Sequence, residues 1–301
     1  DGALGGTGSG TTVANGAALL LNGVSYASAE ALSISGTGVA SGGALVNSGT
    51  SSYAGAITAS SSATINLGGG TLTVTGGLVK NGTVLTVTGG TLNVNTVGIS
   101  GANSGSDLVV DGATVNVNVA STYNGPTFIR NGGTLNATVA NALPNANRSA
   151  LTMDDTGTGS STLAITNASQ ALASLTGTAS SSSISIASGL TLTVGASTGT
   201  AAFAGTISGL GALTKDSNGT QALSGANTYS GGTTLSAGVL QVGSNSAFGS
   251  GSLTLNGGTL SSDSTTARTL VNNVVVGGGI TLGNATNTGA LTLNGTFDLG
   301  S

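Results

Sequence analysis

The chain has 301 residues, of which only 5% are charged, and its formal net charge is -4. Ordinary globular domains carry about 25% charged residues. The five basic residues lie far apart, which excludes the concentrated basic surface that nucleic acid binding requires. The absence of cysteine excludes disulfide bonds, thiolate metal sites and cysteine nucleophiles.

Glycine contributes 54 residues, and most of the hydrophobic 38% is Ala, Val, Leu and Ile. Chains rich in Gly and Ser are often flexible linkers, but disordered chains are poor in β-branched residues and rich in charge. This chain has the opposite composition. It therefore favours an ordered protein built from many thin layers of small apolar side chains.

Short strands are predicted along the chain, and weak helical patterns occur only at Ala27 to Leu32 and at Asn167 to Leu175. The strand signal is the phrase Gly-Thr-Leu-x-Val, in which Leu and Val point to one face and polar residues to the other. Gly and Asn bound the copies and suit turns. In chain order, the copies and close variants are Gly70–Val74, Gly90–Val94, Gly133–Ala137, Gly189–Val194, Gly238–Val242, Gly251–Leu255, Gly258–Leu260 and Gly289–Leu293.

Longer phrases recur above the level of single strands. The segment Thr122–Thr127 matches Thr228–Thr233, and Tyr53–Ile57 matches Phe203–Ile207. Imperfect repetition of this kind is typical of stacked coils. With about 20–25 residues in each coil, we expect an all-β parallel solenoid of roughly 12–15 coils, with residues 1–301 forming one continuous domain.

Two sets of polar residues suit the outside of such coils. Repeated asparagines are expected to form amide ladders at turns. These are Asn81, Asn116, Asn118, Asn131, Asn256 and Asn294. Alternating threonines at Thr71–Thr75, Thr86–Thr88 and Thr191–Thr193 invite an ice-binding interpretation, but their spacing is irregular and Thr is simply a good solvent-face strand residue.

The region from about 209 to 260 carries the most specific pattern in the chain. It contains Leu210-Gly-Ala-Leu-Thr-Lys215, then Leu223-Ser-Gly-Ala-Asn-Thr-Tyr-Ser-Gly-Gly-Thr-Thr-Leu235, then Ala237-Gly-Val-Leu-Gln-Val242. This pattern resembles the passenger-associated repeat of autotransporter proteins. A related copy spans 122–151 and carries Pro126 in place of a second glycine.

The resemblance implies a right-handed parallel β-helix exported to the bacterial cell surface, where such repeats aid secretion and act as a stalk. Family members include adhesins, and the repeat carries no known catalytic residues. We therefore expect a secreted, extracellular structural protein, a rigid stalk or filament subunit of the cell surface or matrix that serves adhesion or biofilm. We expect no enzyme activity, no catalytic residue, no cofactor and no metal.

The ends of the chain bear on its partners. Leu4 to Leu21 and Gly289 to Ser301 carry repeat-like phrases without a charged or helical cap, and open solenoid ends expose unpaired strand edges. We expect either continuation into a longer passenger or head-to-tail self-association. No apolar run is long enough to span a membrane, and the N-terminus lacks a signal-peptide pattern, so we expect a mature chain or a segment of a longer one.

Other functions would need particular residues. A carbohydrate- or receptor-binding passenger would use exposed tyrosines, although the repeat positions of Tyr53, Tyr123 and Tyr229 favour a structural role. The tyrosines are Tyr26, Tyr53, Tyr123 and Tyr229. A polysaccharide-active enzyme would need the Asp154–Asp155 pair, but adjacent strand residues face opposite ways, so we favour a solvated turn. The segment Gly195–Gly199 matches a nucleophile elbow around Ser197, but the chain has no histidine to act as its base.

Overall fold

The computed structural model describes residues 4, 7–101, 105, 107–144, 148–154, 159–195 and 198–299. The chain divides into two compact units, an N-terminal unit, Asp1–Ser149, and a C-terminal unit, Ala150–Ser301. In each unit parallel strands form the stacked coils of an all-β solenoid, about 13 turns in all, and the described residues contain virtually no helix. The predicted fold class and number of coils are therefore confirmed.

Three stacks of parallel strands build the N-terminal unit. The long strand Ile57–Asn66 joins the first two stacks, because it pairs with Leu78–Lys80 near its start and with Leu85–Thr88 near its end. The first stack also contains Thr11–Val13, Leu32–Gly36 and Ile99–Ser100. The second contains Leu19–Asn22, Leu45–Ser48, Leu108–Asp111 and Thr127–Arg130. The third contains Ser25–Tyr26, Thr50–Tyr53, Thr71–Val74, Thr91–Val94, Thr114–Val117 and Thr134–Ala137.

The C-terminal unit repeats this arrangement with strands of two to four residues. One stack contains Thr162–Ile165, Ser183–Ile186 and Thr206–Gly209. A second contains Gln170–Leu172, Thr191–Val194, Ala212–Lys215, Thr233–Leu235, Leu253–Leu255, Val274–Val276 and Phe297–Asp298. A third contains Thr200–Phe203, Thr220–Leu223, Val239–Val242, Thr259–Ser262 and Thr281–Leu282. Leu151–Met153 pairs with Leu175–Thr176, and Arg268–Leu270 pairs with Leu291–Leu293.

The core consists of columns of apolar side chains that stack from coil to coil. In the third stack of the N-terminal unit, Leu72, Leu92, Val115 and Leu135 are paired in register and fully buried. Each phrase predicted as a strand contains one. Alternation with period two places Leu and Val inside and polar residues outside in most of them, whereas Gln241 in Val239–Val242 is buried as well. Dispersion contacts between like side chains then recur at every coil.

The two weak helical predictions are wrong. The described helical element is a single 3-10 turn, Val39–Ser41. Residues 27–31 are irregular and lead into the strand Leu32–Gly36, and Gln170–Leu172 is a strand paired with Leu192–Val194. Gln170 and Leu172 both point into the core, so pairing with the next coil overrides the local helical preference.

Candidate functional site

Acidic residues do not gather into a site in the part of the chain that is described. No group of three or more His, Cys, Asp or Glu there is arranged to hold a metal ion. Asp154 is buried, and its Oδ2 accepts hydrogen bonds from the Ser161 amide (2.9 Å) and the Ser182 hydroxyl (2.7 Å). The predicted solvated turn is therefore wrong for Asp154, which holds two neighbouring coil segments together. Asp155 and Ser197 lie outside the described residues.

All four tyrosines are buried, so none offers an exposed ring to a sugar. The Tyr26 and Tyr53 rings stack with centroids 5.3 Å apart. The Tyr26 hydroxyl donates to Glu30 Oε2 (2.6 Å), and the Tyr53 hydroxyl donates to the Glu30 carbonyl (2.8 Å). These contacts give the tyrosines the structural role that their repeat positions favour.

The recurring phrase around Tyr123 and Tyr229 has one shared geometry. The Tyr123 hydroxyl lies 2.7 Å from Thr127 Oγ1, and the Tyr229 hydroxyl lies 2.5 Å from Thr233 Oγ1. Both threonines stand in interior columns where the paired residue of the preceding coil is leucine. A buried phenol needs a hydrogen-bond partner, and the threonine in this apolar column supplies it.

The model of the Passenger-associated-transport-repeat family matches residues 111–137 and 213–242, and each segment contains one Tyr–Thr pair. We call the matched segments 111–137 and 213–242 the first and second transport repeats. The matches confirm the resemblance found in the sequence, and the repeats together with the solenoid fold fit an autotransporter passenger. No curated protein and no solved structure is significantly similar to the chain.

The second transport repeat encloses a lysine. Lys215 is fully buried, and its Nζ donates to the carbonyl of Ser217 and to that of Ala237 (3.3 Å), so it links turns of two successive coils. Gly238 lies against this ammonium group with φ +73°. A Cβ at position 238 would lie 2.0 Å from the Ser217 carbonyl oxygen, so the site requires glycine.

The first transport repeat contacts another buried lysine, which the sequence did not predict. Lys80 Nζ lies 3.8 Å from the centroid of the Tyr123 ring. The strand that ends at Lys80 pairs in register with Ile99–Ser100, and the Gly101 carbonyl that follows accepts a hydrogen bond from the Asn124 amide, next to Tyr123. Burial lowers the pKa of Lys80 to about 7, an effect that the Asp107 charge opposes. Burial also raises the pKa of Asp107, against the effect of Lys80.

The outer surface of the third stack in the N-terminal unit is polar and uncharged. Its two columns are Thr50, Thr71, Thr91, Thr114 and Thr134, and then Ser52, Thr73, Asn93, Asn116 and Asn136. We name these ten side chains the threonine–asparagine face. The predicted ladder at Asn116 exists, since Asn116 Nδ2 donates to Asn93 Oδ1 (2.7 Å) and Asn136 Nδ2 donates to Asn116 Oδ1 (2.6 Å).

The position of this ladder differs from the prediction. It lies within strands rather than at turns, because the amides are the outward residues of paired strands. Asn118 does fit the prediction, because its Nδ2 donates to Asn95 Oδ1 (2.8 Å) just beyond the ends of their strands, whereas Asn131 Nδ2 donates to Asp111 Oδ1 (2.7 Å). No helix within the described ranges has the length and hydropathy that a membrane span requires.

Proposed function

We propose that this chain is a structural, non-enzymatic part of an autotransporter passenger, a rigid stalk or filament subunit of the bacterial cell surface or matrix that serves adhesion or biofilm. The observation that carries the proposal is that the characteristic residues of the second transport repeat serve the packing of the solenoid itself. Tyr229, Thr233 and Lys215 are buried inside the solenoid, Lys215 joins the turns of two successive coils, and the missing side chain of Gly238 makes room for that contact. Repeat residues that serve internal packing support a mechanical role for the chain.

The stiffness of the proposed stalk comes from hydrogen bonds of the main chain. Each coil adds parallel hydrogen bonds to the coil below, so pulling or proteolysis must break ladders that are buried on their inner face. The proposal also includes one continuous solenoid over residues 1–301, and partners of two kinds: further coils of a longer passenger or head-to-tail contacts with a second copy.

The proposed export role is tested by fusing the chain between a signal peptide and an autotransporter translocator in a Gram-negative host. We expect antibody labelling and external protease to reach the chain on intact cells. A Tyr229→Ala variant should lower the amount at the surface more than Leu210→Ala, because Tyr229 is buried and Leu210 is exposed. Equal display of both variants and the parent would contradict a role for the repeat.

The structural role is tested by electron microscopy of the purified chain over a range of concentrations. Filaments that lengthen with concentration would support subunits joined end to end, whereas isolated particles would support a segment of a longer stalk. Turnover of a polysaccharide that is lost in Asp154→Asn would refute the non-enzymatic assignment. Binding to glycans without turnover would favour the alternative of a carbohydrate-binding passenger.

A further inference from the structure

The threonine–asparagine face is a regular array in space, although its residues are unevenly spaced in the sequence. Thr50, Thr71, Thr91, Thr114 and Thr134 pair in register without a shift over five consecutive strands. Asn93 and Asn116 are 23 residues apart, whereas Asn116 and Asn136 are 20 apart, so loops of unequal length separate aligned residues. Neighbouring strands lie about 4.8 Å apart, and outward residues two positions apart lie about 7 Å apart.

The second column of the face is fixed by its own hydrogen bonds. Besides the bonds that join its asparagines, Asn93 Nδ2 donates to Thr73 Oγ1 (3.4 Å). An amide held in a ladder has few accessible rotamers, and the β-branched threonines of the first column are stiff at χ1. The array is therefore rigid before any ligand arrives, which lowers the entropic cost of binding.

The hydroxyls of the first column are available to a ligand. Within the described residues, Thr50, Thr71, Thr91, Thr114 and Thr134 make no side-chain hydrogen bond to another part of the chain. Each hydroxyl offers one donor and two acceptor positions. Each threonine also presents a methyl group, so the column alternates hydrogen-bonding and apolar atoms at a constant interval.

The chemistry of the face limits the classes of ligand that it can bind. Its ten positions include no charged side chain, which gives a charged polymer no counter-charge. No tyrosine ring is exposed on the chain for a sugar to stack on. What remains is a rigid, uncharged, regularly spaced lattice of hydroxyl and amide groups, which suits a ligand that is itself a lattice of hydrogen-bonding groups.

We propose that the threonine–asparagine face binds ice. Water molecules bridge its hydroxyls and amides with little loss of hydrogen bonding, and their positions repeat with the coils. This ordered layer joins the lattice of a growing ice crystal and holds the protein on its surface. The proposal rests on the face alone and does not depend on the chain being an autotransporter passenger.

The C-terminal unit supplies an internal comparison. Thr193, Thr214, Thr234 and Thr254 also stand in register on an outer surface. The residues two positions before the middle pair are Ala212 and Gly232, so the polar column on that side is interrupted. The residues two positions after the pair are Asp216 and Ser236, so the column on the other side includes a carboxylate. This surface lacks the uninterrupted, uncharged second column of the threonine–asparagine face and is the matched control.

The test measures thermal hysteresis and partitioning of the whole chain into slowly grown ice. The parent chain should show both, and Thr91→Tyr should lose them because a bulky ring at the centre of the face prevents flat contact. Thr71→Tyr should behave in the same way. Thr214→Tyr should keep the parent's activity, and circular dichroism melts should show that all three variants fold.

Three results would overturn the proposal. The first is a parent chain with no more thermal hysteresis than a protein without ice affinity at equal concentration. The second is an equal loss in Thr91→Tyr and Thr214→Tyr. The third is binding to crystalline cellulose or chitin, abolished by Thr91→Tyr, in a chain without ice affinity, which would assign the face to a polysaccharide surface. Surface display in the fusion experiment is independent of all three.

Discussion

The two transport repeats bury a tyrosine in the same way, but the buried lysine near each of them is held by different groups. Both bury a tyrosine whose hydroxyl meets a threonine four residues later. In the second repeat the nearby buried cation, Lys215, is held by backbone carbonyls. At the first repeat, Lys80 instead faces the Tyr123 ring, with the half-buried Asp107 as its counter-charge.

The two repeats also differ in the residue that precedes each threonine. Pro126 in the first repeat and Gly232 in the second occupy the same place, and each carbonyl accepts a bond from the leucine amide of the preceding coil, Leu108 or Leu213. Gly232 has φ +92°, which proline cannot adopt. The repeat thus fixes the hydrogen bond and the Tyr–Thr pair, whereas turn conformation and cation environment vary with the neighbouring coils.

The largest expected effect concerns the buried lysine at the first repeat. The pKa of Lys80 is about 7 in the folded chain and 10.5 in the reference state, so the unfolded chain binds more protons between these values. The free energy of unfolding should therefore rise with pH across this window, by up to about 4 kcal/mol between pH 7 and 10, since one pKa unit corresponds to about 1.4 kcal/mol. Urea titrations at fixed pH values measure it.

The variant Lys80→Met should flatten this rise. The tyrosines give an internal reference, because burial raises the pKa of Tyr53 to about 12 and also raises those of Tyr123 and Tyr229. A folded chain that keeps its tyrosines protonated loses stability as pH rises through 10, in the parent and in Lys80→Met alike. A rise between pH 7 and 10 that persists in Lys80→Met would show that Lys80 is not its source.

The next effect concerns the glycine of the second repeat. Gly238→Ala should lower the free energy of unfolding by about 3 kcal/mol or more, because its Cβ meets the Ser217 carbonyl at 2.0 Å and strain at positive φ is added. Gly189 has the same φ of +73° but no atom within 4 Å of a Cβ. Gly189→Ala should therefore cost only about 1 kcal/mol. Equal losses of stability in thermal melts of the two variants would show that the close contact at position 238 is not the cause of the destabilisation.

The smallest effect concerns the pair that both repeats share. Thr127→Val and Thr233→Val each leave a buried tyrosine hydroxyl without this partner and should cost about 2 kcal/mol. Adding Tyr123→Phe or Tyr229→Phe should recover much of the loss, because no unpaired hydroxyl remains. The double-mutant cycles should give similar coupling energies in the two repeats. A coupling near zero in one repeat would break the equivalence proposed for them.

Much of the fold was predictable because each coil repeats a local pattern. The alternation in Thr71–Val74 or Thr91–Val94 determines which side chains are buried without reference to distant residues. The repeat segment 213–242 was recognisable because Lys215, Tyr229 and Gly238 stand at fixed separations within about one and a half coils. The right-handed winding remains a prediction.

The site was less predictable, since its residues come from different coils. Of the alternating threonines at Thr71–Thr75, Thr86–Thr88 and Thr191–Thr193, only Thr71 and Thr73 lie on the threonine–asparagine face, and the other two segments lie on other stacks. Asn93 and Asn136 occupy the outward position of two predicted strand phrases, Gly90–Val94 and Gly133–Ala137, but only the pairing of the coils brings them to Asn116. Asp154 was misplaced because the serines that bond to it follow in later segments.

The sequence by itself determined that this chain is a layered all-β solenoid with transport repeats. Composition and period-two alternation act over a few residues, and every coil carries the same information. Only the tertiary structure decided which outward residues form a column and that Lys80 lies against the Tyr123 ring. These features depend on the number of residues in each loop, because a loop longer or shorter by one residue changes which side chains of successive coils meet.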